Sequence, residues 1–497
     1  MMEHTPLPLT PEAALAAYEG VNLINGQRVA AQAQLDVLNP ATMQVLGHAA
    51  ASGAMETDAA VAAAKAAGAD WAALPARARG KLVAAAGRAM LAELETVARL
   101  LAMETGKALR TECRGEVTVA ADLLEFYGGL GSELKGETIP FNPRILTMTT
   151  REPLGVVAAI LPWNVPLVLM MLKIAPALVA GNTVVVKASE EAPFATLLAA
   201  EVVMSHLPDG VLNVVCGTGA DCGAALTAHE DVAKITFTGS EAAGETVYSA
   251  GAKKIIPVSL ELGGKSPMII CPDANLDKTV AGAISGMRFT RQGQSCTAAS
   301  RIYVHADLYD DFTARLTGEL DRLVIGDPLD EATDVGTIVS TKQAATIARY
   351  VAMAEACDGA QVIRCATLPD DAALSPELFM LPTLITDLPD DHPCVTEEIF
   401  GPVAVILKWS DYDDVIARAN DSRYGLAATV WTTNIATALD ATARLNAGYV
   451  QVNQNLTIQP NVSYGGFGRS GLGKEASLEA MLEHFTRKKT IVMAFDI

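Results

Sequence analysis

The first 130 residues of the chain have mainly the pattern of helices. Two alanine-rich stretches, 59–74 and 79–106, place apolar residues at helical spacing. Gly106 closes the second stretch, and glycine commonly follows the last turn of a helix. The pattern therefore predicts two long helices in this region.

From about residue 151 the pattern changes to short β-branched runs, most of them followed by a turn residue and then a helical stretch. This alternation predicts βαβ units, mostly parallel sheets and therefore an α/β fold. A second series of runs, between about 264 and 455, suggests a second α/β domain. The runs are GVVAAILPW, NTVVVKA, LNVVCG, KITFTG and IPVSLELGG, then PMIICP, SRIYVH, PTLITD, GPVAVILKW, AATVWTT and GYVQVN.

Two apolar segments need an interpretation of their own. Residues 166–186 have the length of a membrane span, which needs roughly 20 residues. Lys173, Pro176 and Gly181 interrupt the segment, so we predict a buried helix, a turn and a buried strand. The C-terminal run KKTIVMAFDI has the pattern of a strand and is too apolar to remain unpaired, which favours pairing with another element or subunit.

Charge and cysteine content exclude several classes of protein. The 37 Lys and Arg residues and 57 Asp and Glu residues leave a net charge of −20, which argues against binding to nucleic acid or to an anionic membrane. The eight cysteines form no CxxC pair and the histidines show no metal-ligand spacing, so we expect no metal. The N-terminus lacks the pattern of a secretion signal. We expect a cytoplasmic protein with reduced thiols.

Four short segments carry candidate chemistry, and the first is GQSC at 293–296. Cys296 precedes Thr-Ala-Ala-Ser, which has the pattern of a helix start, and a thiol at a helix N-terminus is stabilised as a thiolate. A lone cysteine is more often an inert core residue, so this segment decides nothing by itself.

The second and third segments contribute a carboxylate and an amide. Glu261 of ELGGK follows a predicted strand, and ligands of open α/β sheets bind beyond the carboxyl ends of strands. Asn164 of PWN lies between apolar runs, and its amide could donate to a developing oxyanion. Both also have ordinary interpretations, as a solvated glutamate before a turn and as an asparagine bonded to a neighbouring turn.

The fourth segment, FTGSEAAG at 237–244, has the pattern of a phosphate-binding turn. A strand ends at Gly239 and Ser240 and a helix follows, so backbone N–H groups could hold a pyrophosphate. The glycine spacing differs from G-x-G-x-x-G, which leaves the segment weak as a generic motif.

Together the segments are specific. From about residue 20 to 495 the sequence resembles the NAD(P)-dependent aldehyde dehydrogenase superfamily. One departure is visible, because the segment between Asp277 and Gly293 is one residue longer than in the best-known members. The pocket wall at 288–292 is therefore not carried over. The motifs that match in order and approximate spacing are PWN, VVVKASE, FTGS, ELGGK, GQSC, EEIFGP, YGLAATVWT and GGFGRSGLGKE.

The resemblance implies covalent catalysis by Cys296, through a thiohemiacetal and then a thioester. The Cys296 N–H and the Asn164 side chain would hold the oxyanion. Glu261 would activate the water that releases the acid. Lys173 falls at a position proposed to relay protons, and the alternative is a structural lysine buried with a partner.

The resemblance also implies the cofactor site, with Lys187 and Glu190 of KASE against the adenosine ribose. The Glu190 carboxylate would repel the 2′-phosphate of NADP by on the order of 1–3 kcal/mol, which favours NAD. The alternative is that Glu190 only caps the helix that begins near Ala192. Further cofactor contacts are implied at Trp163, Gly239, Ser240, Glu398 and Phe400.

The substrate pocket implied by the resemblance is mostly apolar, with one phenol. Leu172 stands where succinic semialdehyde dehydrogenases tend to carry an arginine, so we expect an uncharged aromatic or medium-length aliphatic aldehyde. A carboxylate-bearing semialdehyde is the alternative if Arg288 or Arg291 reaches the pocket, and betaine aldehyde is a further one. The implied positions are Val165, Leu169, Leu172, Ser295, Thr297 and Tyr464.

Three rival activities fit the sequence less well. A CoA-acylating aldehyde dehydrogenase typically lacks the glutamate found here as Glu261. An inactive protein on this fold need not retain Cys296, Glu261 and Asn164 together. A thiol protease needs a histidine beside the cysteine, and nothing in the sequence places His206 or His229 there.

The resemblance implies a three-part layout and a homodimer or homotetramer. The motif GGFGRSGLGKE would form a surface loop near the substrate entrance. The three parts are a Rossmann-like dinucleotide-binding domain at 1–132 and 151–262, an α/β catalytic domain at 263–462, and a small β oligomerisation element at 133–150 and 481–497.

Overall fold

The computed structural model describes residues 7–8, 10–455 and 458–495, and its larger sheet has eight strands. Five strands run parallel and are buried on both faces, and antiparallel strands complete the two edges. The predicted first series of strands is confirmed. Across the sheet the strands are Gln27–Ala30, Val21–Ile24, Leu212–Val215, Thr183–Lys187, Val156–Ile160, Val232–Thr238, Val258–Glu261 and Gly471–Leu472.

A second sheet of seven strands contains the predicted second series. All neighbouring strands are parallel except the first pair, which is antiparallel. Across the sheet the strands are Gln361–Arg364, Thr383–Thr386, Val403–Trp409, Arg301–His305, Pro267–Ile270, Ala427–Trp431 and Tyr449–Val452.

A third, antiparallel sheet joins the C-terminal strand Thr486–Ala494 to Ile145–Pro153 and Thr138–Asn142. The apolar C-terminal run therefore pairs within its own chain, as one of the two predicted possibilities. The strand begins after the helix Leu478–His484, five residues later than the predicted element start at 481. The division into domains and the oligomerisation role stay predictions.

Helices cover the faces of both large sheets, and the predicted stretch 79–106 is broken. It forms two helices that meet at Glu93, and Gly106 caps the second in the left-handed conformation at φ 72°. The main helices are Pro11–Ala17, Ala54–Ala73, Ala76–Ala92, Leu94–Thr105, Arg114–Gly129, Pro166–Ala180, Pro193–Met204, Ala224–Ala228, Glu241–Lys254, Leu276–Met287, Tyr309–Leu320, Thr341–Glu355, Pro393–Thr396, Tyr412–Asn420, Ile435–Arg444 and Leu478–His484.

The membrane-length segment forms the buried helix Pro166–Ala180, a turn at Gly181 and a buried strand, as predicted. Among the described residues, no helix combines the length and apolar character needed to cross a bilayer. The helix lies in the largest hydrophobic core and packs against the helices Arg114–Gly129, Ala76–Ala92 and Pro193–Met204. This core lies directly behind the candidate site.

The N-terminal region also holds strands that the helical pattern did not predict. Val21–Ile24 and Gln27–Ala30 form a hairpin whose turn residues Asn25 and Gly26 have φ values of 51° and 76°. An Asn-Gly pair is the strongest short signal for such a turn, so the sequence did contain the information. A second hairpin pairs Gln34–Asn39 with Gln44–Ala50.

Candidate active site

The parallel strands of the larger sheet carry candidate residues at their carboxyl ends. Lys187 and Glu261 are the last residues of their strands, and Asn164 follows the strand Val156–Ile160. Thr238, at the end of a neighbouring strand, pairs in register with Glu261. Carboxyl ends of parallel strands meet at one edge of a sheet, where ligands bind in this class of fold.

Cys296 reaches this edge from a tight loop of the second half of the chain. The loop follows the 3₁₀ turn Phe289–Arg291, and Gly293 has a φ of 61°. A side chain at Gly293 would overlap the carbonyl oxygen of Gly401, so only glycine fits there. The residues between Cys296 and Arg301 form a turn and irregular backbone, so the predicted helix start at Cys296 is wrong. The thiol therefore does not lie at the N-terminus of a helix formed by its own segment.

The surroundings of Cys296 keep its thiol protonated at neutral pH. Burial raises the pKa of Cys296 to about 11, although the thiol opens on a cavity. A hydrogen-bonding contact of 3.4 Å between Sγ and the Tyr464 hydroxyl lowers this pKa, while the charges of Glu398 and Glu261 raise it and Arg291 lowers it. Attack on a carbonyl therefore needs a base that removes the thiol proton.

Asn164 is held in place by a buried ion pair between Lys107 and Glu116, which the sequence did not predict. Its side-chain Nδ2 donates to the Gln294 carbonyl at 3.1 Å, and its own carbonyl accepts from Lys107 Nζ at 2.9 Å. Lys107 is also paired with Glu116, whose other oxygen accepts from the Leu167 N–H at 2.9 Å. The Lys107–Glu116 pair thus fixes the PWN loop against the start of the next helix.

Glu261 lies in a buried cluster of charges with Glu475 and Lys173. Lys173 Nζ donates to Glu475 Oε1 at 2.7 Å, and within the described chain one oxygen of each glutamate is buried without a hydrogen-bond partner. Burial raises the pKa of Glu261 well above its usual value, the charge of Glu475 raises it further, and Lys173 and Lys474 lower it. Lys173 has the partner that a structural lysine requires.

The motif GGFGRSGLGKE, which supplies Glu475, was predicted to be a surface loop, and this prediction is wrong in part. Phe467 is exposed, but Ser470 and Glu475 are buried. Gly471–Leu472 forms the edge strand against Val258–Glu261. Glycines along this segment allow the backbone to lie directly on the strand that ends in Glu261, which brings Glu475 inside.

Lys187 and Glu190 form the pair expected at the cofactor edge. Lys187 Nζ donates to Glu190 Oε2 at 2.7 Å, with Glu190 41% exposed and Lys187 only 4%. The alternative role of Glu190 as a helix cap is not observed. Glu104, from another helix, accepts the N–H groups of Phe194 and Ala195 at 2.8 and 3.0 Å and caps that helix instead. Glu190 is therefore available to a ligand.

The predicted phosphate-type turn is followed by a helix, as expected. The helix Glu241–Lys254 begins after Ser240, whose hydroxyl accepts from the Ala243 N–H at 3.3 Å. Gly239 precedes it, and a Cβ there would overlap the ring of Phe237. The free N–H groups of the first turn suit an anion such as a pyrophosphate.

Glu398 and Phe400 lie beside the paired glycines of ELGGK. Glu398 Oε1 accepts from the Gly264 N–H at 2.9 Å, and a Cβ at Gly263 would overlap the same carboxylate. Burial raises the pKa of Glu398 to about 7. Phe400 stands edge-on to Trp163 with ring centroids 5.4 Å apart. A buried carboxylate with one backbone donor retains acceptor capacity, which fits ribose hydroxyls.

A cavity of about 300 Å³ opens at the Cys296 thiol. Five of the six predicted pocket residues line it, but Leu172 does not: it is buried in the hydrophobic core. Leu172 lies one helical turn beyond Val168 and Leu169 on the same face, but it is buried and does not line the cavity. The lining residues are Thr111, Glu112, Gly115, Glu116, Val119, Asn164, Val165, Val168, Leu169, Arg288, Arg291, Ser295, Cys296, Thr297, Tyr449, Ile458 and Tyr464.

Arg288 and Arg291 both reach this cavity, which the sequence left open. Arg291 Nε donates to Glu112 Oε2 at 2.7 Å, and its Nη2 bonds the same oxygen. Thr290 donates to the other oxygen of Glu112 at 2.5 Å. Arg291 is therefore neutralised by the protein, whereas Arg288 has no such carboxylate in the described structure.

Comparison with known proteins decides the family. Residues 28–491 match the family model described as "Aldehyde dehydrogenase family". The chain belongs to the aldehyde dehydrogenase family. The resemblance seen in the motifs is thereby confirmed, and the protein is an oxidoreductase of the NAD(P)-dependent aldehyde dehydrogenase class.

Relatives match this aldehyde dehydrogenase over nearly its full length. Phenylacetaldehyde dehydrogenase of Pseudomonas fluorescens is 38% identical, over 98% of this chain and 99% of its own. The NAD+ complex of aldehyde dehydrogenase from Bacillus cereus has a TM-score of 0.93 and 35% identity, covering 99% of this chain and 100% of that one. An NADP-dependent enzyme of E. coli has a TM-score of 0.92 and 35% identity, covering 97% and 99%. The predicted fold class is confirmed.

Proposed function

We propose that this aldehyde dehydrogenase oxidises an aldehyde to the carboxylic acid with NAD, through a thioester on Cys296 that is hydrolysed with the help of Glu261. The observation that carries the proposal is the position of the Cys296 thiol on a largely apolar cavity beside Asn164. The buried carboxylate of Glu261 is close enough for its charge to raise the pKa of that thiol.

The first step is removal of the thiol proton. Since the pKa of Cys296 is raised to about 11 by burial, few molecules carry the thiolate at neutral pH. Burial also raises the pKa of Glu261, which makes this carboxylate a stronger base than an exposed glutamate. Glu261 would take the proton, directly or through a water, as the sulfur attacks the aldehyde carbon.

The oxyanion that forms would lie between the Cys296 N–H and the Asn164 amide. The Lys107–Glu116 pair already holds the Asn164 backbone, so the amide is positioned before the substrate arrives. Preorganised donors of this kind stabilise developing charge without reorganisation. When bound, NAD supplies the acceptor for the hydride that leaves the thiohemiacetal carbon.

The thioester is then released by water that Glu261 deprotonates. Lys173 acts through charge: it pairs with Glu475 and lowers the pKa of Glu261. A proton relay through Lys173 is not required, because its contact with Glu475 satisfies the buried ammonium.

The preference for NAD rests on Glu190. Relatives include an NAD+ complex and an NADP-dependent enzyme, so the family alone does not decide. In this chain Glu190 lies half-exposed at the end of a strand, bonded to Lys187 and free of any capping role. Its carboxylate would accept the ribose hydroxyls and repel a 2′-phosphate.

The oligomer is a homodimer or homotetramer in this proposal. The C-terminal sheet carries apolar side chains that are well exposed in the single chain, with Phe141 80%, Val492 62% and Phe495 64% accessible. Exposed apolar side chains on the edge strands of a sheet are typical of an interface with another subunit.

Rapid-mixing kinetics of Glu261→Gln tests the proposed mechanism. With NAD and an aldehyde, we expect a burst of NADH approaching one per active site and then a slow steady state, because the loss of Glu261 slows deacylation more than it slows thiol deprotonation and hydride transfer. Addition of CoA should not accelerate the wild-type enzyme, which a CoA-acylating enzyme would require.

Cys296→Ser is the matched control and should show neither burst nor turnover. Retention of more than about a tenth of kcat, roughly 1.4 kcal/mol of barrier, would contradict the role of the nucleophile. Absence of a burst in Glu261→Gln together with an unchanged steady rate would show that Glu261 is not the deacylation base.

A further inference from the structure

Four charged side chains line the substrate cavity, and three of them have an ion-pair partner in the described structure. Glu112 is paired with Arg291, and Glu116 is paired with Lys107. Arg288 lines the same cavity and makes no ion pair with the described residues, although the charge of Glu112 acts on it. A guanidinium that is largely removed from water without a counter-charge is costly, so its presence on a cavity wall suggests a ligand that neutralises it.

Arg288 has an unusual backbone conformation. It is the C-cap of the helix Leu276–Met287 and has the left-handed conformation at φ 58°. This conformation is strained for a residue with a long side chain, and such strain clusters at functional sites. The contact of the guanidinium with the Asn455 carbonyl is 3.5 Å long, too long for a strong hydrogen bond.

Arg288 shares the cavity with the reacting thiol. The charge of Arg288 acts on Tyr449, and Tyr464 and Cys296 in turn act on Arg288. The same wall carries several apolar side chains, among them Val165, Leu169 and Ile458. The cavity thus combines a nucleophile, apolar side chains and a cation that makes no ion pair in the described structure.

We propose that the Arg288 guanidinium binds a carboxylate carried by the substrate, so that the preferred substrate is an aldehyde acid with an apolar or aromatic spacer. This inference rests on the proposed aldehyde oxidation. It revises the expectation of an uncharged aldehyde, which rested on the mostly apolar pocket positions and on Leu172, a residue that does not line the cavity. A bidentate pair with the planar guanidinium would orient the aldehyde group towards Cys296.

Matched pairs of aldehydes test the proposal in the full-length enzyme. The probes are 4-formylbenzoate against 4-methylbenzaldehyde, and 6-oxohexanoate against hexanal, each pair having a common skeleton with and without the carboxylate. We expect the wild-type kcat/KM to favour the carboxylate member by tenfold or more in at least one pair, and Arg288→Gln to lower that ratio by roughly tenfold to a hundredfold. Arg288→Lys should retain part of the preference, since lysine keeps the positive charge but cannot donate two parallel hydrogen bonds to a carboxylate.

Val168→Ala is the matched control, because Val168 lines the same cavity without charge. It should change kcat/KM for both members of a pair by the same factor and leave the ratio intact. A wild-type ratio at or below one in both pairs, or a ratio that Arg288→Gln does not lower, would overturn the proposal.

A binding measurement separates this inference from the proposed function. Calorimetric titration with benzoate, and with benzamide as the neutral control, needs no oxidation. We expect benzoate to bind wild type more tightly than benzamide, and Arg288→Gln to remove the difference. If no aldehyde is oxidised but this pattern holds, the oxidation fails and the carboxylate site stands. If oxidation proceeds but benzoate shows no dependence on Arg288, the carboxylate site fails.

Discussion

The contact between Cys296 and Tyr464 predicts that one hydroxyl group controls the reactivity of the nucleophile. Sγ and Oη are 3.4 Å apart, and Tyr464 is buried beside the cavity. Either group can donate while the thiol is protonated. Once the thiolate forms, only the tyrosine can donate, so the contact stabilises the reactive form. Burial raises the pKa of Tyr464 well above its usual value, so its hydroxyl remains protonated across the working range.

The substitution Tyr464→Phe removes the hydroxyl and keeps the ring. A hydrogen bond to a charged group contributes roughly 1.5–3 kcal/mol. At a pH below the thiol pKa, loss of 1.4 kcal/mol lowers the thiolate fraction about tenfold, because each pKa unit corresponds to 1.36 kcal/mol. The substitution should therefore raise the pKa of Cys296. Burial has already raised this pKa to about 11, and the hydrogen bond with Tyr464 is the largest contribution that lowers it.

Alkylation by iodoacetamide measures this effect without cofactor or substrate. We expect the rate at Cys296 at pH 8.5 to fall about tenfold or more in Tyr464→Phe, and the pH midpoint of alkylation to move upward. The seven other cysteines supply a background that Cys296→Ser measures.

Tyr449→Phe provides the matched control, since its ring packs edge-on against Tyr464 at 5.8 Å between centroids. In the described structure the thiol contact is made by Tyr464 and not by Tyr449. Alkylation of Tyr464→Phe that is as fast as wild type at pH 8.5, or a slowing equal to that of Tyr449→Phe, would refute the reasoning.

Two further predictions concern carboxylates. Glu190→Ser should raise the KM for NAD about tenfold and shift the kcat/KM ratio towards NADP by about a hundredfold. The reason is that NAD loses a hydrogen-bond acceptor and Lys187 becomes free to pair with a 2′-phosphate. An unchanged ratio, or a wild type that prefers NADP, would contradict the cofactor assignment. Burial raises the pKa of Glu104 from 4.5 to about 8. Between pH 5 and 8 this carboxyl group therefore ionises in the unfolded chain before it ionises in the folded protein, so the free energy of unfolding falls as the pH rises. In Glu104→Gln the melting temperature should therefore fall less over this range; curves parallel to wild type would exclude this contribution.

Much of the local structure could be read from the sequence, because the physical signals are local. The apolar runs after residue 151 became strands, and the membrane-length segment became a helix, a turn and a strand. Glu261 lies at a strand end and Gly106 closes a helix, as predicted. Periodicity, turn residues and glycine positions determine structure over a few residues, so they can be interpreted without knowledge of the rest of the chain.

Local patterns failed where the surroundings decide. Thr-Ala-Ala-Ser after Cys296 resembled a helix start, but the loop around Gly293 and the following strand hold it in irregular backbone. Glu190 was considered as a cap for the helix that starts at Pro193, yet the cap comes from Glu104, about 90 residues earlier in the chain. Leu172 matched a pocket position, but its side chain is buried in the hydrophobic core.

The charge pattern of the site was decided only by tertiary structure. Lys173 and Glu475 are separated by 302 positions, and Cys296 and Tyr464 by 168. A sequence shows which residues can ionise, but whether a charge is neutralised depends on what folding brings within about 4 Å of it. That is why Arg288 and Arg291, three positions apart and chemically identical, differ: both line the cavity, but in the described structure only Arg291 forms an ion pair, with Glu112.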